Sequence, residues 1–171
     1  MAKRKNHAPL LPTEVYDDYY IRVKRVDEYN YPQPTERCGK WLIYAHISEV
    51  DHVWVTIRDA VVGGLLGSSA KVATMMYNPR EVRPGYKVIC VYTYDSDDLE
   101  DLKRVLVGMR EIGINQEAWY KEDRTTRAGQ YSSNSKGPVT KYRAPENSTE
   151  FFPTKTGSGM SRQRRKYPES R

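Results

Sequence analysis

The sequence is poor in cysteine, histidine and phenylalanine, with two Cys, three His and two Phe in 171 residues. Cys38 and Cys90 are too few for a disulfide scaffold and are expected to be reduced thiols. No CxxC, HExxH or Cys/His cluster occurs, so no metal site is expected. Neither a P-loop nor a GxGxxG is present, which removes the common nucleotide fingerprints. No apolar run approaches the ~18–20 residues that span a bilayer. The first residues, Met1-Ala2-Lys3-Arg4-Lys5-Asn6, carry charge without an apolar stretch of the secretory kind. The expectation is a cytoplasmic protein with no membrane partner and no cofactor.

What is present is unevenly distributed. The net charge of +6 sits wholly in residues 132–171, which hold nine basic against three acidic side chains, while residues 1–131 hold nineteen of each. Such a tail can contact RNA through counterion release without reading its sequence. It can equally fold onto an acidic protein partner, or simply remain a solvated, disordered end. Composition divides the chain into a flexible segment 1–15, one α+β domain over 16–143, and a disordered basic tail over 144–171.

Within the domain, Tyr19 to Val23 and Lys40 to Ile47 read as strands, since both are short and rich in β-branched and aromatic residues. Ser48 to Asp51 reads as a helix start, followed by Val50, Val53, Trp54, Ile57 and Val61 at helical spacing. Gly63-Gly64 ends that helix. Ala70 to Met76 and Tyr86 to Tyr94 are strands, and Leu99 to Ile112 is a second helix closed by Gly113. Ala118 to Lys121 is another short strand. The order ββα-ββα-β predicts an antiparallel sheet with both helices on one face. A ferredoxin-like βαββαβ arrangement is the other reading of the central part.

Strand alternation separates the candidate site residues from the core. Ala70 and Val72 point one way, and Lys71 the other. Tyr86, Val88, Cys90, Tyr92 and Tyr94 form one set, with Ile89 and Val91 in the other. A lysine among apolar neighbours is costly unless it is wet or paired, which makes Lys71 a candidate anion contact. The stretch from Tyr120 to Gly129 reads as a loop with three basic groups, two hydroxyls and a glycine, a composition that suits phosphate. The resulting site holds Lys71, Arg104, Lys121, Arg124 and Arg127 for phosphate, and the Thr126 hydroxyl. Tyr92, Tyr94 and Trp119 would stack on or hydrogen-bond a base. Trp41, in an apolar strand, and Trp54, on a helix stripe, are expected in the core.

Glu36-Arg37-Cys38-Gly39-Lys40-Trp41-Leu42-Ile43 resembles the opening of a small family of basophilic-leukaemia-expressed proteins. Ala70 to Thr74, Val88 to Asp95, Lys103 to Leu106, Tyr120 to Asp123 and Thr126 to Tyr131 continue the resemblance, which spans roughly residues 18–143. It implies the translation initiation factor 4E-like fold, a curved antiparallel sheet backed by helices. Cap binding is not expected, because Trp41 and Trp54 are assigned to the core and cannot form a two-indole sandwich. Bacterial relatives carry a phosphothreonine-lyase label. That label implies β-elimination, with Lys71 or Lys121 as base and His46 as acid. No Lys-x-His pair is present to support it. Sequence therefore favours a non-enzymatic protein holding a nucleotide-like or phosphorylated ligand, RNA among them, on a concave sheet face. A lyase and a protein-interaction module stand as the other readings.

Overall fold

The computed structural model describes residues 8–81, 83–127 and 139–154. Its strands are β1 (Tyr20–Lys24), β2 (Gly39–His46), β3 (Ser69–Ala73), β4 (Tyr86–Thr93), β5 (Ala118–Glu122), β6 (Tyr142–Ala144) and β7 (Phe152–Pro153). Its α-helices are α1 (Val50–Val62), α2 (Leu99–Glu111) and α3 (Asp123–Arg127), and short 3-10 turns cover Pro12–Glu14 and Glu28–Asn30. All seven strands form one antiparallel sheet in the order β1-β3-β4-β2-β5-β6-β7. The ββα-ββα-β order matches the expectation. The ferredoxin-like reading falls, because two strands precede α1 and the sheet extends to seven.

One sheet face is the core. In β2, Trp41, Ile43 and Ala45 point inward, in register with Val91, Ile89 and Lys87 of β4. Val53, Trp54, Ile57 and Val61 of α1 and Leu102, Val105, Leu106 and Met109 of α2 recur three or four residues apart and cover that face. Each large side chain buried here contributes roughly 1.5–3 kcal/mol. The Trp41 indole N–H donates to the Leu102 carbonyl at 3.3 Å, which fixes α2 against the central strand.

The helix ends differ in chemistry. Asp98 caps α2 by accepting from the Asp101 backbone N–H at 3.0 Å. The start of α1 has no side-chain cap, because the Ser48 hydroxyl meets His46 Nδ1 instead, at 2.7 Å. Gly64, at φ +78°, supplies the left-handed turn after α1.

Three expectations need correction. Residues 123–127 form α3 rather than loop. The N-terminal segment is anchored, since the Thr13 hydroxyl and N–H both donate to Asp51 at the start of α1. The fold also runs past residue 143. Phe151, whose polar surroundings suggested tail, meets Trp41 edge-on at 5.4 Å and Tyr142 at 5.2 Å. Arg110 clamps that segment by donating to the carbonyls of Ile114, Gln116, Pro145 and Ser148. The basic residues from Lys155 onward, and Lys3, Arg4 and Lys5, lie outside the described residues. Among the described residues no helix is long and apolar enough to cross a membrane.

Candidate functional site

The sheet face opposite α1 and α2 carries the cations. Pairing places Arg22 beside Lys71, Lys71 beside Cys90, Cys90 beside Leu42, Leu42 beside Trp119, and Trp119 beside Arg143. The next row runs from Ser69 through Tyr92 and Lys40 to Lys121. Lys71, Lys40 and Lys121 therefore gather around Cys90 and Tyr92 on four adjacent strands.

Asp123, at the start of α3, holds Lys40 at 2.7 Å, and the Lys40 ammonium also donates to the Thr126 hydroxyl at 3.2 Å. Among the described residues no salt bridge reaches Arg22, Lys24 or Lys71. The Lys71 ammonium lies 4.0 Å from the Tyr20 ring centroid, and Lys40 lies 5.5 Å from that of Tyr92. Lys40 and Lys121 are each only 6% exposed. Burial, with the Lys40 charge behind it, pushes Lys121 down to about 8. Burial lowers Lys71 as well, and it raises the Cys90 thiol and the Tyr92 hydroxyl. An added anion would meet concentrated, partly desolvated positive charge here.

The structure brings some of the expected residues together and scatters others. Lys71, Tyr92, Trp119 and Lys121 share this face, and Thr126 borders it through Lys40. Arg127 is exposed at the end of α3, close enough for its charge to act on the Cys38 thiol. Arg124 instead turns to Glu122, in the ion network with Ser96 and Lys141. Arg104 lies on the helix side, donating to the Leu65 and Leu66 carbonyls and to Asp101. Tyr94 falls one residue beyond β4, and its hydroxyl donates to Asp98, which pushes that phenol up to about 12. Two clefts on the helix side, of about 550 and 360 Å³, are lined in part by Arg104. Its donors there are already used by the protein itself.

Sequence reasoning missed Lys40, Arg22 and the aromatic end of the face. Assigning Trp41 to the core would have exposed Lys40, since alternation then sends Lys40, Leu42, Tyr44 and His46 to the other side. Trp41 and Trp54 are fully buried, which leaves no indole pair to sandwich a base. His46 lies six residues along β2 from Lys40, and its partner Tyr86 lies four along β4 from Cys90. At about 3.3 Å per residue, these offsets put His46 roughly 13 Å from the Lys71 row and 20 Å from the Lys121 row.

A family model described as basophilic leukemia-expressed protein Bles03 matches residues 34–128, more than half of the chain. Similar solved structures include C. elegans eIF4E-3 with the 4E-binding protein Mextli and a cap analog, at 20% identity and TM-score 0.44, covering 54% of each chain. Schistosome eIF4E complexed with m7GpppG and 4E-BP is another, at 14% identity and TM-score 0.49, covering 64% of this chain and 59% of that one. Ascaris suum eIF4E-3 with m7G cap aligns at 17% identity and TM-score 0.44, over 64% and 58%. The chain thus spans little more than half the length of the solved chains it matches.

Proposed function

The chain belongs to the basophilic leukemia-expressed protein Bles03 family, and from that footing we propose that it binds a phosphorylated, nucleotide-like ligand on the sheet face opposite α1 and α2. The observation that carries this reading is the convergence of Lys40, Lys71 and Lys121, from three different strands, around Cys90 and Tyr92 on one sheet face. Burying ammonium groups costs free energy unless an anion meets them. A phosphate offers each lysine a charge-assisted hydrogen bond in a partly desolvated setting. Tyr92 and Trp119 flank the cluster with rings and a hydroxyl. Thr126 and Arg127 add a hydroxyl and a charge at the rim. Contact with RNA would extend the same chemistry along Arg22 and Lys24 of β1.

The β-eliminase reading requires His46 within proton-transfer reach of Lys71 or Lys121, and the strand register keeps them apart. The interaction-module reading depends on the basic tail, which lies outside the described residues.

Isothermal titration of the full chain with inorganic tripolyphosphate tests the proposal. One equivalent should bind, and Lys71→Ala should weaken it about tenfold, the effect of one charge-assisted contact. Absence of binding, or affinity indifferent to Lys71→Ala and Lys121→Ala together, overturns it.

A further inference from the structure

The sheet ends at β1, which pairs with β3 alone. The Thr74 N–H donates to the Tyr19 carbonyl, and the Arg25 N–H to the Ser68 carbonyl, each at 3.1 Å. Main-chain groups alternate sides along a strand. Residues 19, 21, 23 and 25 therefore turn theirs toward β3, and Arg22 and Lys24 turn theirs away from the sheet. Among the described residues no hydrogen bond reaches the N–H or C=O of Arg22 or Lys24. Both residues are exposed. A strand edge left in this state can pair with a further strand.

The two faces of this edge differ in chemistry. Ile21 and Val23 stand opposite Val72 and Ala70 and so belong to the core side, yet both are only partly buried. Arg22 stands opposite Lys71 on the other side, which Lys24 shares. Among the described residues no salt bridge reaches Arg22 or Lys24. Asp27, just beyond the strand, is taken by Arg25 at 2.7 Å, and Asp18, just before it, accepts from the Tyr20 N–H at 3.2 Å. A strand added here would cover Ile21 and Val23 with apolar side chains and would meet Arg22 and Lys24 with carboxylates. Full overlap with the β1 of a second copy would instead set Arg22 against Arg22, a like-charge pair that disfavours self-pairing. An RNA phosphate backbone would meet the two cations but offers no amide ladder to their main chain.

We infer that β1 takes an extended segment of a partner protein as a further strand, one that alternates acidic residues, set against Arg22 and Lys24, with apolar residues, set against Ile21 and Val23. The inference stands apart from the anion site proposed above and does not depend on it.

A blocked, fluorescein-labelled nonapeptide alternating glutamate with valine tests it on the full chain, with a lysine–valine peptide of the same length beside it. In anisotropy titrations the glutamate peptide should bind at least about tenfold tighter than the lysine peptide, the worth of two cross-strand charge pairs. The amides of Arg22 and Lys24 should exchange freely in the unbound chain and become protected on binding. Reversing both charges, with Arg22→Glu and Lys24→Glu at exposed positions, should reverse the preference between the peptides. Methylating one alternate set of the peptide's amide nitrogens should abolish binding, and methylating the other should spare it, because only one set faces β1. The inference falls if the glutamate peptide does not bind, if charge reversal leaves the preference unchanged, or if the Arg22 and Lys24 amides stay unprotected. It falls as well if both methylated peptides bind as tightly as the parent. An oligouridylate that binds through Arg22 and Lys24 where the peptide does not overturns it in favour of RNA.

Discussion

Lys71 and Cys90 stand directly opposite each other on neighbouring antiparallel strands, so a cation and a buried thiol share the middle of the sheet face opposite the helices. The surroundings stabilise the charge on Lys71 little. Tyr20 offers its ring to the ammonium at 4.0 Å, and Arg22 and Lys40 add repulsion. The environment as a whole disfavours the protonated lysine, with burial the leading cause. A charge retained against its surroundings fits a position kept for binding rather than for stability.

Replacing that charge should therefore stabilise the fold. Lys71→Met keeps length and apolar bulk, and it should gain about 1 kcal/mol, or a few degrees in thermal midpoint. Tripolyphosphate binding should weaken about tenfold in the same variant, as for Lys71→Ala. A lower midpoint measured by calorimetry would show that the ring contact with Tyr20 outweighs the desolvation cost.

Lys121 predicts a pH dependence. Its folded value of about 8 lies below the ordinary 10.5 of lysine. Below about pH 8 the folded and unfolded chains both hold the proton, and the cost of the buried charge is felt in full. From there to about 10.5 only the unfolded chain keeps it, so this group makes stability rise with pH over that window. Anion binding runs the other way, because the ligand needs the proton. Affinity for tripolyphosphate should fall between about pH 7 and pH 9, by at most tenfold per unit for one proton. Lys121→Arg, which stays charged, should flatten that profile in calorimetric titrations. An unchanged profile would assign the proton elsewhere.

Two residues expected at the site should prove indifferent to ligand. Arg104 is engaged with the Leu65 and Leu66 carbonyls, and the Tyr94 hydroxyl with Asp98. Arg104→Ala and Tyr94→Phe should leave anion affinity within about twofold, while costing about 1 kcal/mol of stability each. A large loss of affinity in either would extend the site around the β4 end of the sheet.

Arg110 should control the chain beyond β6. Its guanidinium satisfies four carbonyls drawn from residues 114–148. Arg110→Ala leaves those acceptors without their donor and should cost about 2–3 kcal/mol. Amide exchange over residues 145–154 should rise well above exchange in β2 and β4. Uniform exchange would mean that the Phe151 contact alone holds this segment.

The core side of the fold was legible because its signals are local. Trp41 and Ile43 alternate, Trp54 and Ile57 keep helical spacing, and glycines close both long helices. Lys71 was legible for the same reason, through its parity with Val72. Other features depend on pairing between distant strands. Lys40 follows from its alternation with Trp41, but that it stands beside Tyr92 and Lys121 depends on β2 lying between β4 and β5. Arg104 stands off the apolar stripe of α2 and suggests exposure, yet its partners lie across the turn before β3. Tyr94 extends the alternation of β4 by one residue, but the strand stops at Thr93 and the side chain follows the chain into the α2 cap. Phe151 sits in a polar stretch whose composition outweighs one aromatic residue that happens to reach the core.

The placement of the three indoles has an optical consequence. Trp41 and Trp54 are sealed in the core and report on folding alone. Trp119 is partly exposed, shares the Leu42 row with the lysine face, and lies 5.5 Å from the Arg143 guanidinium. The protein thus carries its own emission probe at the proposed binding face beside two internal references. Occupancy of the face can be followed in the unlabelled chain as a change in one emitter of three.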